Sequence, residues 1–208
     1  AFRRQLGIQA NKLAEQLNIS PSYLNLIEGG KRKIDGELLL KVCQELRIEL
    51  SDLTSKSDLN LANKCSETLG SLSITNSIQV LSAHRTPDLL ENHVKECERG
   101  DTKVFIAMAG LAAHLAGAVA SKTVLPVIGV PGDGGPLSGM DALLSTVQMP
   151  KGIPVATVAI GSAGAVNSAY LAAQILGVES EEIRKSLLRV RADGKEAIKE
   201  SNKKLLNS

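Results

Sequence analysis

At 208 residues the chain is long enough for one α/β domain plus a small module, with a buried core. A formal charge of +2 excludes a strongly basic nucleic-acid coat, and 2% aromatic residues exclude a stacking platform for single strands. Ala, Leu, Ile and Val dominate the apolar mass beside 18 glycines, a mixture suited to close-packed parallel strands and helices.

Cys43, Cys65 and Cys97 are odd in number, widely spaced and without a CxxC or Cys/His pairing. They read as reduced thiols of a cytoplasmic protein. There is no signal peptide, and no apolar run is long enough to span a bilayer, so no membrane partner is expected. The chain opens on "AFRRQLG" without an initiator Met, and a natural beginning upstream is expected.

The first fifty residues carry helical periodicity with short breaks. Leu13, Ala14 and Leu17 share one helix face, and Asn18-Ile19-Ser20 forms a turn. Ser20 is an N-cap with Pro21 in the first helical position, so "PSYLNLIE" begins a new short helix. Gly29-Gly30 stops it, and Gly36 to Leu46 forms another. Two helices joined by a three-residue turn inside a small bundle follow the helix-turn-helix plan.

Residues 2–53, and "LAEQLNISPSYLNLIEGGKRK" above all, resemble the Cro/C1-type helix-turn-helix family. The resemblance implies that Ser20, Ser22, Tyr23 and Asn25 face the major groove of double-stranded DNA. It puts Gln9, Lys31, Arg32 and Lys33 on phosphates. Short polar side chains at a helix start reach base edges, while nearby cations add sequence-blind attraction. The competing reading is a solvated bundle used for protein contacts, and the near-balanced charge of the segment favours that alternative.

From Ser55 the period changes. "SIQVLS", "KVFIAMAG", "LPVIGVP" and "VATVAIG" are short β-branched runs, each followed by a loop and a helical stretch. That alternation predicts an α/β fold, a doubly wound parallel sheet whose ligands sit at the carboxyl ends of the strands. The expected organisation is therefore a helix-turn-helix domain over 1–54 and an α/β domain over 55–208.

Four loops are candidates for chemistry. In "TSKSD", Ser55, Ser57 and Asp58 open a helix, where amides and hydroxyls hold a phosphate and a carboxylate holds sugar hydroxyls; an ordinary helix cap reads the same way. In "LSAHRTPDLLENH", Thr86 caps a helix, Pro87 follows and Asp88 complements the dipole. Ser82, Ala83, His84 and Arg85 are then left at a strand end, where an Arg fork grips phosphate and an imidazole transfers protons near neutral pH. His93 is read as a surface residue. In "AMAGLAAHLAGAVAS", small residues let backbone approach a ligand, and His114 is the one polar group of an apolar stretch. The long glycine-rich "GVPGDGGPLSGMDALLSTVQMPKGIP" reads as a lid.

Taken together, "SKSD", "SAHRTP", "GLAAHLAG", "PVIGVP", "LSGMDALLSTVQMPKGIPVATVAIG" and "AGAVNSAYLAAQIL" resemble the class I N5-carboxyaminoimidazole ribonucleotide mutase family of purine biosynthesis, from Ser55 to about Leu176. The resemblance implies a flavodoxin-like sheet whose first strand is missing or replaced here, since "LRIELSDLT" stands where a buried strand belongs. It implies that Ser55, Ser57 and Asp58 bind the ribotide, and that Ser82, Ala83 and Arg85 hold its phosphate. By the same resemblance His84 is the general acid/base, and His114, with Ala109, Gly110 and Leu115, lines the base pocket. No metal and no organic cofactor is implied, because a carbamate loses CO2 readily. The expected reaction moves a carboxylate from the exocyclic nitrogen of an imidazole ribonucleotide to ring carbon C4. A homo-octamer is implied too. Two alternatives are a ribotide-sensing DNA-binding regulator and an incomplete fusion with little activity. The C-terminal "ESEEIRKSLLRVRADGKEAIKESNKKLLNS" reads as a charged helix with an apolar stripe for subunit packing.

Overall fold

Leu13, Ala14 and Leu17 are buried together with Leu24 and Leu38, and this small core explains the first two helices. In the computed structural model, residues 8–28, 32, 38, 41, 42, 45 and 50–206 are described, with backbone alone for 50–57. Helix α1 (Ala10–Gln16) and helix α2 (Pro21–Glu28) carry the helix-turn-helix pair. Between them Asn18 takes φ 54°, and the Ile19 amide returns to the Ala14 carbonyl at 3.0 Å, a left-handed helix stop. The Tyr23 amide donates to Ser20 Oγ at 3.1 Å, so Ser20 caps α2 as its position suggests. The Gly29–Gly30 stop, Cys43 and most of the helix expected over 36–46 lie outside the described residues.

Helix α3 runs unbroken from Leu50 to Ser71. The expected turn at "TSKSD" is therefore not formed, and this corrects the expectation that Ser55, Ser57 and Asp58 open a helix. A phosphate turn forms where a buried strand hands the chain to a helix. Among the described residues no strand precedes it, and with Thr54 in place of a freely turning glycine nothing interrupts the helix from Leu50 on.

Helix α4 (Pro87–Arg99) leads to strand β1 (Phe105–Ala109), then helix α5 (Leu115–Ala120) and strand β2 (Val127–Pro131). Helix α6 (Met140–Val147), strand β3 (Ala156–Thr157), helix α7 (Gly161–Leu176) and helix α8 (Glu181–Leu206) complete the order. The sheet is parallel, β1-β2-β3, with Phe105 opposite Val127, Ala109 opposite Pro131 and Ile128 opposite Ala156. Every residue of β2 is buried, as an uninterrupted apolar run in a covered sheet must be.

Helices cover both faces. Leu90 and Val94 of α4 pack with Ala107, Ala116 and Val127 on one side. Cys65 and Leu69 of α3 pack with Ile128, Ala169 and Ala172 on the other. Helix α7 approaches through small residues, Gly164, Ala165, Ser168, Ala169 and Ala172, all buried. The Ser168 hydroxyl inside this contact is satisfied by the Ala165 carbonyl at 2.7 Å.

One expected strand is absent. "SIQVLS" is not a strand, and Val80 is 76% exposed. In a flavodoxin-like order this segment pairs only with the first strand. Without that neighbour its backbone has nothing to bond, and β-branched residues alone do not make a strand. On helix α8 Leu188, Val190, Ile198 and Leu205 are exposed, while Ile183 and Leu187 are half-buried. No described helix is long and apolar enough to cross a membrane.

Candidate active site

The loop after residue 81 is closed by its own hydrogen bonds. The Ser82 amide donates to Thr86 Oγ1 at 3.0 Å, the Thr86 hydroxyl donates to the Ser82 carbonyl at 3.1 Å, and the Arg85 amide donates to Ser82 Oγ at 3.1 Å. Thr86 thus ties the loop together and does not cap α4 by its side chain, which corrects its expected role. Pro87 and Asp88 do occupy the first turn. The Ala83 methyl packs toward the core, and His84 and Arg85 are pushed outward, both exposed. The Arg85 guanidinium has no carboxylate partner among the described residues, which leaves its fork open for an anion.

At the end of β1 the chain turns through Gly110 and Leu111, the latter at φ 55°, and delivers His114 just ahead of α5. His114 Nδ1 lies 3.1 Å from His84 Nε2, with ring centroids 5.0 Å apart. The two imidazoles come from loops 30 residues apart, and across this contact one ring nitrogen donates and the other accepts. His84 Nδ1 is then the nitrogen left for a ligand. Leu115 packs into the core, while Ala109 and Gly110 are half-buried at the strand end.

Asp58 reaches the same strand ends from α3. Its carboxylate accepts a hydrogen bond from the Gly110 amide. A methyl group on Gly132 would fall 2.8 Å from Asp58 Oδ1 and 3.0 Å from Gly110 Cα, so this crossing requires glycine. Burial raises the Asp58 pKa above the ordinary carboxylate value; the Gly110 bond opposes this and the like charge of Asp133 adds to it. A raised acid favours its protonated form in the fold, so its stabilising contribution is present at low pH and is lost as pH rises through the raised pKa. Asp58→Asn should therefore melt higher than the parent at pH 7, and calorimetry at pH 3 should show the difference gone. A lower melting temperature at pH 7 would contradict the assignment.

Sequence reasoning missed two carboxylates in the glycine-rich connection. Asp133 lies against the start of α7, where a methyl on Gly161 would fall 2.8 Å from its Oδ2. Asp141 Oδ1 is buried without a hydrogen-bond partner among the described residues. The signal was an aspartate two residues past a strand end and another after Ser-Gly-Met, but a lid reading gave them no role. Beyond α5 opens a cleft of about 320 Å³ lined by His114, Gly117, Ala118, Met149, Pro150 and Ile153. The hydroxyl-bearing Ser121 and Ser145 complete this otherwise mostly apolar wall.

Of the expected substrate contacts, Asp58, Ser82, His84, Arg85, Gly110 and His114 gather at or beside one end of the sheet. The side chains of Ser55 and Ser57 lie outside the described residues. In the first domain, Gln9, Ser20, Ser22 and Asn25 are exposed, and Arg32 lies over the Tyr23 ring at 6.0 Å. Lys31 and Lys33 lie outside the described residues. No group of three or more potential metal ligands occurs among the described residues.

A parallel sheet with helices on both faces, and a polar cluster at the carboxyl ends of its strands, defines a flavodoxin-like α/β protein with a small-ligand site. A sequence profile of the AIR carboxylase family matches residues 53–197, and one of the helix-turn-helix family matches residues 1–53. The chain is 50% identical over 144 residues to a protein of Pseudomonas aeruginosa named N5-carboxyaminoimidazole ribonucleotide mutase, which covers 69% of this chain and 88% of that protein. A Bacillus subtilis protein of the same name is 46% identical over 152 residues, 73% of this chain and 94% of its own length. The crystal structure of Treponema denticola PurE superposes with a TM-score of 0.66 at 31% identity, covering 72% of this chain and 92% of that one. The chain belongs to the AIR carboxylase family and carries an N-terminal helix-turn-helix segment.

Proposed function

We propose that the chain is an N5-carboxyaminoimidazole ribonucleotide mutase, an isomerase of purine biosynthesis acting in the cytoplasm. The observation that carries this reading is the 3.1 Å pairing of His84 with His114 beside the Asp58–Gly110 contact. The family and the names of its relatives support the substrate.

Protonated His84 gives its proton to the exocyclic nitrogen as the carbamate N–C bond breaks, releasing CO2 and the aminoimidazole. The electron-rich C4 then attacks CO2, forming the new C–C bond. Neutral His84 removes the C4 proton, so the proton lent is recovered and the reaction is balanced without a cofactor. Arg85, with the Ser82 loop, holds the phosphate, and Asp58 holds the ribose hydroxyls, with Ser55 and Ser57 alongside. The mostly apolar cleft beside His114 holds CO2 near C4. Both histidines are exposed in a single chain, so closure comes from a neighbouring copy, and a homo-octamer is the proposed assembly.

Arg85→Ala should raise KM for the ribotide at least about 10-fold while kcat changes little, because a charge-assisted pair to phosphate is worth about 1.5–3 kcal/mol. Steady-state kinetics decides, and an unchanged KM removes Arg85 from the phosphate site. An absorbance assay of ribotide interconversion tests the activity itself; no conversion by an assembled octamer would reject it.

We assign double-stranded DNA as partner of the first domain, whose proposed boundary with the second, 1–54 against 55–208, falls inside α3. The exposed Ser22 and Asn25, three apart on α2, and the exposed Arg32 support this. The second reading, a ribotide-responsive regulator, is favoured by the unbroken α3, which replaces the family's phosphate turn with helix. Operator binding that depends on ribotide, together with no turnover, would select it.

A further inference from the structure

Just ahead of His114, a leucine holds a backbone conformation that ordinarily belongs to glycine. The Ala113 amide donates to the Gly110 carbonyl at 3.1 Å, which closes a four-residue turn over Gly110–Ala113. Within it Leu111 takes φ 55°, while Ala112 stays out of the positive region. Positive φ at the second position alone is the pattern of a type II′ turn, whose usual occupant there is glycine. A bulky side chain in this region crowds the backbone, and such a residue persists only where its surroundings hold it.

Those surroundings are the glycine-rich connection between β2 and α6. A methyl on Gly135 would fall 2.5 Å from Leu111 Cδ2, so the isobutyl group fills the space that a side chain at 135 would need. Gly135 is itself at φ 85°, a second reason for glycine there. The receiving loop is fixed to β1 independently of Leu111. The Gly132 amide donates to the Ala109 carbonyl at 2.9 Å, and the Ser138 amide donates to the Gly135 carbonyl at 3.2 Å. Leu111 thus spans the two loops that leave β1 and β2. His114 is the N-cap residue of α5, a helix of six residues and too short to fix its own direction. The turn therefore sets the direction in which His114 leaves the sheet.

We infer that Leu111 is a positioning residue: its side chain, seated against Gly135, holds the turn in its left-handed form and thereby sets His114 against His84. The kinetic consequence rests on the proposed mutase function; the geometric one does not. Substitution separates the anchor from the strain. Glycine at 111 removes both together, so the turn keeps its form. Alanine removes the anchor and keeps the strain, so the turn relaxes and His114 swings away from His84. Packing alone would give the opposite order, because glycine leaves the larger void.

The test compares Leu111→Gly with Leu111→Ala in the full chain. With nitrogen-15 in its three histidines the chain reports the His84 ring by NMR, and His114→Phe marks the signals of an unpaired His84. Leu111→Ala should move the His84 signals to those positions and lower kcat at least about 10-fold with KM nearly unchanged, the scale of a misplaced reacting group. Leu111→Gly should keep the parent signals, keep kcat close to the parent and melt no lower than Leu111→Ala. Parent-like His84 signals in Leu111→Ala overturn the inference, as do signals displaced further by glycine than by alanine. If Leu111→Ala fails to fold while Leu111→Gly folds, the strained turn is supported. If Leu111→Gly fails to fold, packing decides and the inference falls. The ring signals are read without substrate, so an inactive parent would reject the mutase reading and leave this comparison standing.

Discussion

His84→Asn should bind ribotide with nearly unchanged affinity and lose turnover by at least about 100-fold, the lower range for removal of a positioned acid/base. Asparagine keeps a polar group near His114 Nδ1, so the loop closed by Ser82 and Thr86 should persist. What it cannot do is accept the C4 proton and later return one. A kcat within a factor of a few of the parent would remove His84 from the chemistry. A large rise in KM with kcat preserved would make it a binding residue instead. His114→Phe separates partner from catalyst: a phenyl ring fills similar space but cannot exchange a proton with His84. If the pair works as a unit, its effect on kcat falls in the same direction and the double variant is no worse than the larger single one.

The largest stability effect should come from Gly164→Ala. A methyl there would stand 1.7 Å from the Ala159 carbonyl oxygen and 2.7 Å from its carbon, both backbone atoms. No rotamer change relieves that clash; the join between β3 and α7 has to move. Overpacking commonly costs about 1–3 kcal/mol, and a rigid backbone contact puts this case at about 3 kcal/mol or beyond. For a chain of this size the main thermal transition should fall by about 6–12 °C. Gly194→Ala is the internal control. Nothing lies within 4 Å of its added methyl and it sits in the middle of α8, so about 0.5–1 kcal/mol of stabilisation is expected. Equal melting of the two variants would refute the close approach at Gly164.

Much of this was legible in the residues. The N-terminal pair of helices followed from Leu13, Ala14 and Leu17 on one face and from Ser20-Pro21 at the next start, because caps and apolar stripes act over one or two turns. The three strands that form carry compact apolar runs, and β2 is buried at every position as "VIGVP" suggests. His84 could be singled out because Thr86, Pro87 and Asp88 account for the helix start and leave the residues before them without a structural task. Its partner could not be inferred from spacing. His114 comes to His84 only because β1 and the loop before α4 end at the same edge of the sheet, a juxtaposition no local pattern encodes.

The failures share a cause. "SIQVLS" has the composition of a strand and "TSKSD" that of a phosphate turn, yet neither forms. Asp133 and Asp141 looked like lid residues until Gly161 and the fold around α6 gave them fixed surroundings. By itself, the sequence determined helix starts and stops, the change from helical to alternating period, and the family of the larger part. Those depend on backbone preferences and side-chain order along a few consecutive residues. Only the tertiary structure decided which strand formers become strands, how far α3 runs, and which imidazole meets His84. A strand needs a neighbour to complete its hydrogen bonds, and where β1 has none on one side, composition alone cannot supply it.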